Sequence, residues 1–328
     1  MNRKIRNFAK TVMIFSLMLV SLSACANRIK ASGTYKTKEV KLADFDGIEL
    51  SGSPTLIYAQ SSGNQFSLKI YGSDNIIDLI ECKVVGTTLL VKYKDNTNIE
   101  FGKVGCLEVL VSSPTLKNVK LKGSGDILLK NQVRCADLAL TLQGSGDLTA
   151  EDLICSGNFK AILLGSGDLS IKKCIQAKNA DLKLEGSGDL NVSNLVTKGV
   201  VAVLKGSGDL NVRSANATGN VSATLQGSGD MDFNGINGGD VKAELQGSGD
   251  LKLVGMANRV VLNLVNSGDL DAIGLDAGDV DASVSGSGNI SCSVSGMLKA
   301  QISGSGEIEY KGNPANIQII GKRKPHKI

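Results

Sequence analysis

The amino-acid sequence predicts an all-β fold, a single-chain parallel β-solenoid with right-handed coiling and about ten regular coils of 18–21 residues. Two observations lead to this prediction. A four-residue phrase, Gly-Ser-Gly-Asp, recurs from residue 123 almost to the end of the chain, and apolar residues alternate with polar ones on both sides of each copy. A unit with one apolar face cannot bury that face alone, so successive copies are expected to stack into a continuous core.

The repeated phrase sets the period of the coil. Its complete copies end at Asp126, Asp147, Asp168, Asp189, Asp209, Asp230 and Asp250, and weaker copies end at Asp269, Asn289 and Glu307. The steps between them are too short for the blades of a β-propeller, which need about 40 residues each. The Asn/Cys ladder and the helical connections of a leucine-rich repeat are missing.

The strands of each coil follow from alignment on the last residue of the phrase. The position five residues earlier is aliphatic in every copy: Leu121, Leu142, Leu163, Leu184, Leu204, Leu225, Leu245, Leu264, Val284 and Ile302. Positions seven and nine residues earlier are also mostly apolar, and so are the first and third positions after it. Strict alternation indicates a strand with one buried face. Each coil is therefore predicted as strand, corner, shorter strand and a connection of variable length.

The phrase itself has the composition of a corner. Its two glycines allow backbone angles that other residues avoid, Ser can bond to its own turn, and Asp can accept backbone N–H groups. Stacked carboxylates repel one another, however, and calcium binds carboxylates and carbonyls. Eight residues are therefore candidate calcium ligands: Asp126, Asp147, Asp168, Asp189, Asp209, Asp230, Asp250 and Asp269. The sequence predicts no other metal site and no cofactor.

The first 25 residues predict export. Four basic residues precede an apolar run at residues 11–22 that is too short to span a membrane convincingly. The ending Leu22-Ser23-Ala24-Cys25 resembles a bacterial lipobox, in which the cysteine is lipidated and begins the mature protein. The predicted partner is thus a membrane, reached through a lipid on Cys25.

The charge of the chain argues against nucleic acid as a partner. The chain has 36 Lys and Arg against 32 Asp and Glu, and the excess equals the basic residues Arg3, Lys4, Arg6 and Lys10 of the signal. The side chains of the mature protein are therefore balanced in charge, whereas phosphate binding needs a basic surplus on one surface.

The cysteines and the single histidine offer little catalytic chemistry. No cysteines form a Cys-x-x-Cys pair, so neither a zinc site nor a thioredoxin-like motif is indicated. Cys135, Cys155 and Cys174 are spaced so that they could stack in adjacent coils, with one disulfide or free thiols as the outcome. His326 lies in the basic tail, which leaves a Ser-His-Asp arrangement without its base. The chain is predicted not to be an enzyme.

The C-terminal residues resemble a known family. The stretch from Gly304 to Pro314, GSGEIEYKGNP, is similar to the ending of the putative auto-transporter adhesin, head GIN domain family, which is common in exported proteins of Bacteroidetes. Phe45-Asp46-Gly47-Ile48 and the segment VSSPTL at residues 111–116 resemble its opening strand and a later strand. The resemblance covers about residues 40 to 320 and implies a β-solenoid of the cell envelope, without catalytic residues.

These observations give a domain plan and a function to test. The predicted segments are a lipoprotein signal (1–24), a tether (25–36), N-terminal coils or a cap (37–120), the regular solenoid (121–320) and a basic tail (321–328). The predicted function is a non-enzymatic, lipid-anchored envelope rod, at the outer membrane, that presents an adhesive or scaffolding surface to a protein or glycan partner. The alternatives are a calcium-dependent solenoid and a polysaccharide-binding or polysaccharide-active protein. The sequence leaves open whether the protein faces the cell surface or the periplasm.

Overall fold

The computed structural model describes residues 28–328, and the signal segment and Cys25 lie outside the described residues. Strands make up most of the described chain. The strands of its N-terminal part are β1 (Ile29–Lys30), β2 (Tyr35–Glu39), β3 (Gly47–Gly52), β4 (Thr55–Ala59), β5 (Ser67–Ser73), β6 (Ile80–Val85), β7 (Thr88–Tyr93), β8 (Ile99–Glu100) and β9 (Leu107–Ser112), with a 3-10 turn at Ile77–Leu79.

The repeat region continues with strands before and after each phrase, and β23 and β24 each run from one phrase through to the next. They are β10 (Asn118–Gly123), β11 (Asp126–Cys135), β12 (Leu138–Gly144), β13 (Leu148–Cys155), β14 (Asn158–Gly165), β15 (Leu169–Gln176), β16 (Asn179–Gly186), β17 (Leu190–Thr197), β18 (Gly199–Gly206), β19 (Leu210–Ala217), β20 (Val221–Gly227), β21 (Met231–Asn237), β22 (Asp240–Gly247), β23 (Leu251–Asn266), β24 (Leu270–Gly286), β25 (Asn289–Val294), β26 (Met297–Gly304), β27 (Glu307–Lys311), β28 (Asn316–Ile320) and β29 (His326–Lys327).

Successive coils stack in parallel, which confirms the predicted β-solenoid. The strands before each Gly-Ser-Gly-Asp phrase form face 1, where the series β10, β12, β14, β16, β18, β20 and β22 pairs in register. The first residues after the phrase form face 2, where Ile127 pairs with Leu148 and Leu148 with Leu169. The predicted apolar columns are the buried sides of these two faces, as at Leu121 and Ile127.

The predicted variable connection is a third ladder of short strand segments, called face 3. Within β11 the register shifts between Leu129 and Gln132, and two outward residues in succession, Lys130 and Asn131, interrupt the alternation. The strand therefore bends and continues. The buried residues of face 3 in the early coils pair one above the next: Val133, Leu153, Ile175, Leu195 and Ala215. Part of the difference in coil length arises at this bend, because Val133 and Leu153 stand seven and six residues after their acids.

The N-terminal part folds back on itself. The coil formed by β3 and β4 lies beneath β10 and β11, and β7 and β9, which come later in the chain, cover its other side. Three further strands, β2, β5 and β6, run antiparallel to their neighbours and form the outer edge. The cap thus closes this end of the apolar core with antiparallel strands.

One corner of this region has a different sequence from the repeat. Gly52-Ser53-Pro54-Thr55 stands where the later coils have Gly-Ser-Gly-Asp, and Gly52 has the positive φ of 101° that the first glycine of a phrase needs. The amides of Ser124 and Gly125 donate to the Gly52 carbonyl at 3.1 and 2.8 Å. This corner therefore begins the stack on which the first complete phrase rests.

The basic tail contributes to the last coil. His326 and Lys327 pair in parallel with Glu309 and Tyr310, although their side chains are exposed. The guanidinium of Arg323 donates to the carbonyls of Gly304 and Gly306, both at 2.8 Å. In earlier corners the first glycine's carbonyl accepts amides from the next coil, so Arg323 satisfies the last one in their place. No helix among residues 28–328 is long and apolar enough to cross a membrane.

Candidate functional site

The Gly-Ser-Gly-Asp corner requires both of its glycines for steric reasons. The first glycine adopts a positive φ in the complete copies, such as 144° at Gly144 and 153° at Gly165. The second glycine is buried, and a Cβ placed on Gly146 or Gly167 would collide with the carbonyl oxygen of the second glycine one coil earlier. The phrase is thus the point at which two backbones approach too closely for any side chain.

Backbone hydrogen bonds join each corner to the next one. The amides of Ser145 and Gly146 share the carbonyl of Gly123, at 2.9 and 3.2 Å, and the same pair of bonds recurs along the stack. The serine side chain, by contrast, is exposed in every copy. Among the phrase serines, all of which the structure describes, one pair, Ser248 and Ser267, is within hydrogen-bond distance at 3.5 Å. The predicted turn-bonding role of the serine is therefore not seen.

The aspartate column is stabilised by the backbone. The Oδ1 of Asp126 accepts the amide of Asp147 at 3.0 Å, and Asp147 in turn accepts the amide of Asp168 at 3.0 Å. The same bond links the remaining neighbours up to Asp269, which accepts the amide and the side-chain amide of Asn289. Each carboxylate thus faces a donor of the next coil, which offsets the repulsion along the column.

The eight calcium candidates lie in this one column, but the structure does not gather them into a cage. The column brings one carboxylate per coil, and six of the eight side chains are exposed while Asp189 and Asp209 are half-buried. Within residues 28–328, no group of three or more His, Cys, Asp or Glu side chains could hold a metal ion. Calcium sites with six to eight oxygen ligands need a denser arrangement.

We expect calcium to leave the unfolding temperature unchanged, because the backbone already provides a donor for each Asp of the column. The measurement compares thermal unfolding of the protein in EDTA and in millimolar calcium, a range that covers weak extracellular calcium sites. A saturable rise of the midpoint with calcium would contradict this expectation.

The side chain of Asp189 offers a test of the hydrogen bonds along the aspartate column. We expect Asp189→Ala to lower the free energy of unfolding by about 1 kcal/mol, because the Asp209 amide loses its acceptor at 3.0 Å. Asp189→Asn keeps an acceptor oxygen and removes one charge from the column, so it should cost much less. Denaturant unfolding of the two variants checks the difference, and an equal loss in both would show that the charge, not the hydrogen bond, matters.

A second ladder of polar side chains lies at the turn from face 3 to face 1. Asp137 accepts the amide of Asn158 at 2.7 Å, Asn179 donates to Asn158 at 2.9 Å, and Asn220 accepts the amide of Asp240 at 3.1 Å. Sequence reasoning missed this ladder, although its signal was present as an Asn or Asp ten residues before the end of most phrases. The turn at Gly199 lacks such a side chain.

An open groove of about 510 Å³ lies on face 1 next to this second ladder. Its floor and walls come from five consecutive coils, and the gap at Gly199 helps to open it. Val201 is 48% exposed in the groove, and Val261 adds a second aliphatic wall. The groove therefore combines exposed apolar surface with the polar side chains of the turn. No sequence pattern predicts this groove, because it depends on the stacking of five coils.

The charged groups of the groove leave one cation available for a ligand. Lys242 pairs with Glu244 at 2.7 Å, outside the groove lining. Arg259 pairs in register with Asp240 and Asp279, but among the described residues no side chain forms an ion pair or hydrogen bond with its guanidinium. Asp240 is the one carboxylate that the described part of the chain contributes to the lining, so these residues do not supply the paired carboxylates of a glycosidase.

The cysteines take two different environments. Cys135 and Cys155 lie in register on adjacent coils with their Sγ atoms 3.2 Å apart, whereas Cys174 pairs with Asp152 and does not continue the stack. The hydrogen bond with Cys155 lowers the pKa of Cys135, and the same bond raises that of Cys155. Cys292 is a core residue, as its column position predicts, and burial raises its pKa to about 12.

Comparison with known proteins gives a family match over most of the chain. The family model described as putative auto-transporter adhesin, head GIN domain, matches residues 44–230 and 210–314. A search of curated proteins found no match.

The solved structures to which the chain is similar include three from the genus Parabacteroides. A putative adhesin from Parabacteroides distasonis is 20% identical, with 92% of this chain and 100% of the other covered and a TM-score of 0.46. A putative lipid binding protein from the same species is 22% identical, with 92% and 100% covered and a TM-score of 0.39. A putative adhesin from Parabacteroides merdae is 19% identical, with 92% and 99% covered and a TM-score of 0.39.

Proposed function

The chain belongs to the putative auto-transporter adhesin, head GIN domain family, and on that premise we propose that it is a non-enzymatic, adhesin-like binding protein of the cell envelope. The observation that carries the proposal is the face 1 groove, where exposed Val201 lies beside Arg259, whose guanidinium has no side-chain partner among residues 28–328. A contiguous apolar surface beside polar groups is typical of a binding site. The partner is a protein or glycan.

The proposal includes anchoring at the outer membrane through a lipid on Cys25, a residue outside the described part of the chain. The anchor would hold the N-terminal cap near the membrane, and the stack of coils would extend from it, since neighbouring coils are about 4.8 Å apart. A rigid rod of this kind presents the groove at a fixed distance from the lipid. An adhesive role further requires that the rod faces outward from the cell.

The test measures whether the protein is exposed on the cell surface and whether the groove is needed for attachment. Intact cells that produce the protein are treated with protease, and their attachment to mucin-coated surfaces, which offer both polypeptide and glycan, is then measured. The variants are Val201→Glu and Arg259→Ala in the groove, with Lys252→Glu on the outer side of face 2 as the matched surface control.

We expect protease to remove the protein from intact cells and to reduce attachment. Each groove variant should lower attachment several-fold, because it places a charge on the apolar wall or removes the free cation, and the control should attach like the wild type. Protection of the protein in intact cells would overturn the adhesive role. Unchanged attachment of both groove variants would overturn the assignment of the groove.

A further inference from the structure

We propose that Cys135 and Cys155 form a disulfide that clamps two adjacent coils of the solenoid. The two residues are direct register partners, at the ends of β11 and β13. Their Sγ atoms lie 3.2 Å apart, so the bond requires an approach of about 1 Å, to the disulfide length of about 2.05 Å. Neighbouring parallel strands are about 4.8 Å apart, within the range of Cα separations that disulfides span.

The position of the pair lets an oxidant reach it. Cys135 is half-buried, and Cys155, although 4% exposed, lines an open groove of about 500 Å³ on face 3. Both residues end a strand segment immediately before a turn, where the backbone can adjust without disturbing the ladders on faces 1 and 2. Of the other described thiols, Cys174 faces Asp152 and Cys292 is enclosed in the core, while Cys82 and Cys106 lie in the N-terminal cap.

The chemistry is a thiol–disulfide exchange with a small or protein disulfide as the oxidant. The thiolate of Cys135 attacks one sulfur of the oxidant, which breaks the oxidant's S–S bond and releases one thiol. Cys155 then loses its proton and attacks the Cys135 sulfur of the mixed disulfide, and the second oxidant thiol leaves. Two cysteine thiols are thereby oxidised, and one disulfide of the oxidant is reduced to two thiols.

The bond would stabilise the beginning of the regular stack. It joins the first two coils that carry a complete phrase, and it closes a loop from residue 135 to residue 155 of the unfolded chain. Cross-links of such loops restrict the unfolded state and raise the unfolding temperature. The clamp would thus hold the coil that rests on the N-terminal cap against the rest of the rod.

The experiment uses the purified full chain and oxidised glutathione as the probe. After incubation, remaining thiols are alkylated and the protein is digested with trypsin, which leaves both cysteines in one peptide, residues 135–160. The unfolding temperature is measured before and after reduction with dithiothreitol. The variants are Cys135→Ser, Cys155→Ser and, as the matched control, Cys174→Ser.

We expect the wild-type peptide to be lighter by two hydrogen atoms and to carry no alkyl group after oxidation. The unfolding temperature of the intact protein should be several degrees higher in the oxidised form, because the cross-link closes a loop of the unfolded chain. The Cys174→Ser control should form the bond, and the other two variants should not. A wild-type peptide that stays doubly alkylated, or carries glutathione without closing to the internal bond, would overturn the proposal. So would a bond between Cys174 and either residue.

Discussion

We expect Gly188→Ala, the addition of one methyl group, to lower the free energy of unfolding by about 4 kcal/mol or more. The new Cβ would collide with the carbonyl oxygen of Gly167, which is backbone and cannot rotate away. The corner cannot move as a whole either, because the amides of Ser187 and Gly188 bind the Gly165 carbonyl at 3.0 and 3.2 Å. The substitution therefore has to separate two coils in the middle of the rod.

The matched control for this variant is the preceding residue. Ser187 is exposed, and Ser187→Ala should change the stability by less than about 0.5 kcal/mol. Denaturant unfolding followed by circular dichroism measures both variants. A stable, soluble Gly188→Ala protein with the wild-type midpoint would contradict the close approach of the coils at this glycine.

The second large effect is expected in the core. Phe233 is fully buried on face 2, between Val212 and Leu253 of the neighbouring coils. Phe233→Ala removes most of a large side chain and leaves a cavity, so it should cost about 3–5 kcal/mol of unfolding free energy. Because each coil contacts mainly its neighbours, the lost stability should appear first in the coils on either side.

The control for the core variant lies one residue away. Asp232 points outward on the same strand, so Asp232→Ala should leave the unfolding midpoint close to that of the wild type. Hydrogen exchange of the two variants shows where protection is lost. Uniform loss of protection along the chain, instead of a loss centred on residues 210–253, would show that the rod unfolds as a single unit.

The regular part of the fold was predictable because the apolar residues that form its core recur at fixed offsets from the last residue of each phrase. The aliphatic columns at Leu121 and Ile127 follow the phrase at constant offsets, so alignment on the acid reveals them. Face 3 was missed since its buried residues, such as Val133 and Leu153, stand seven and six residues after the acid. Because the number of residues at the bend between faces 2 and 3 varies, these buried residues do not fall in one column when the repeats are aligned. The right-handed coiling stays a prediction.

The N-terminal cap and the groove depend on contacts that no local pattern contains. The strands β2, β5 and β6 pair antiparallel and do not repeat, so nothing in the sequence shows that β7 and β9 fold back over β3 and β4. The groove exists because Gly199 and Val201 of β18 come together with Arg259 of β23 from a later coil. The aspartate column was predictable only in part. The sequence predicts that the Asp residues align in successive coils, but it leaves open which of several donors each carboxylate binds.

A crystal structure of the protein grown in millimolar calcium tests most directly whether the repeated phrase is a structural corner. We expect Oδ1 of each Asp from Asp126 to Asp269 to stay bonded to the amide of the next coil, at the 2.9–3.2 Å found here, with no cation in the column. Cations bound between successive carboxylates, with those amide bonds broken, would contradict it and make the phrase a ligand site.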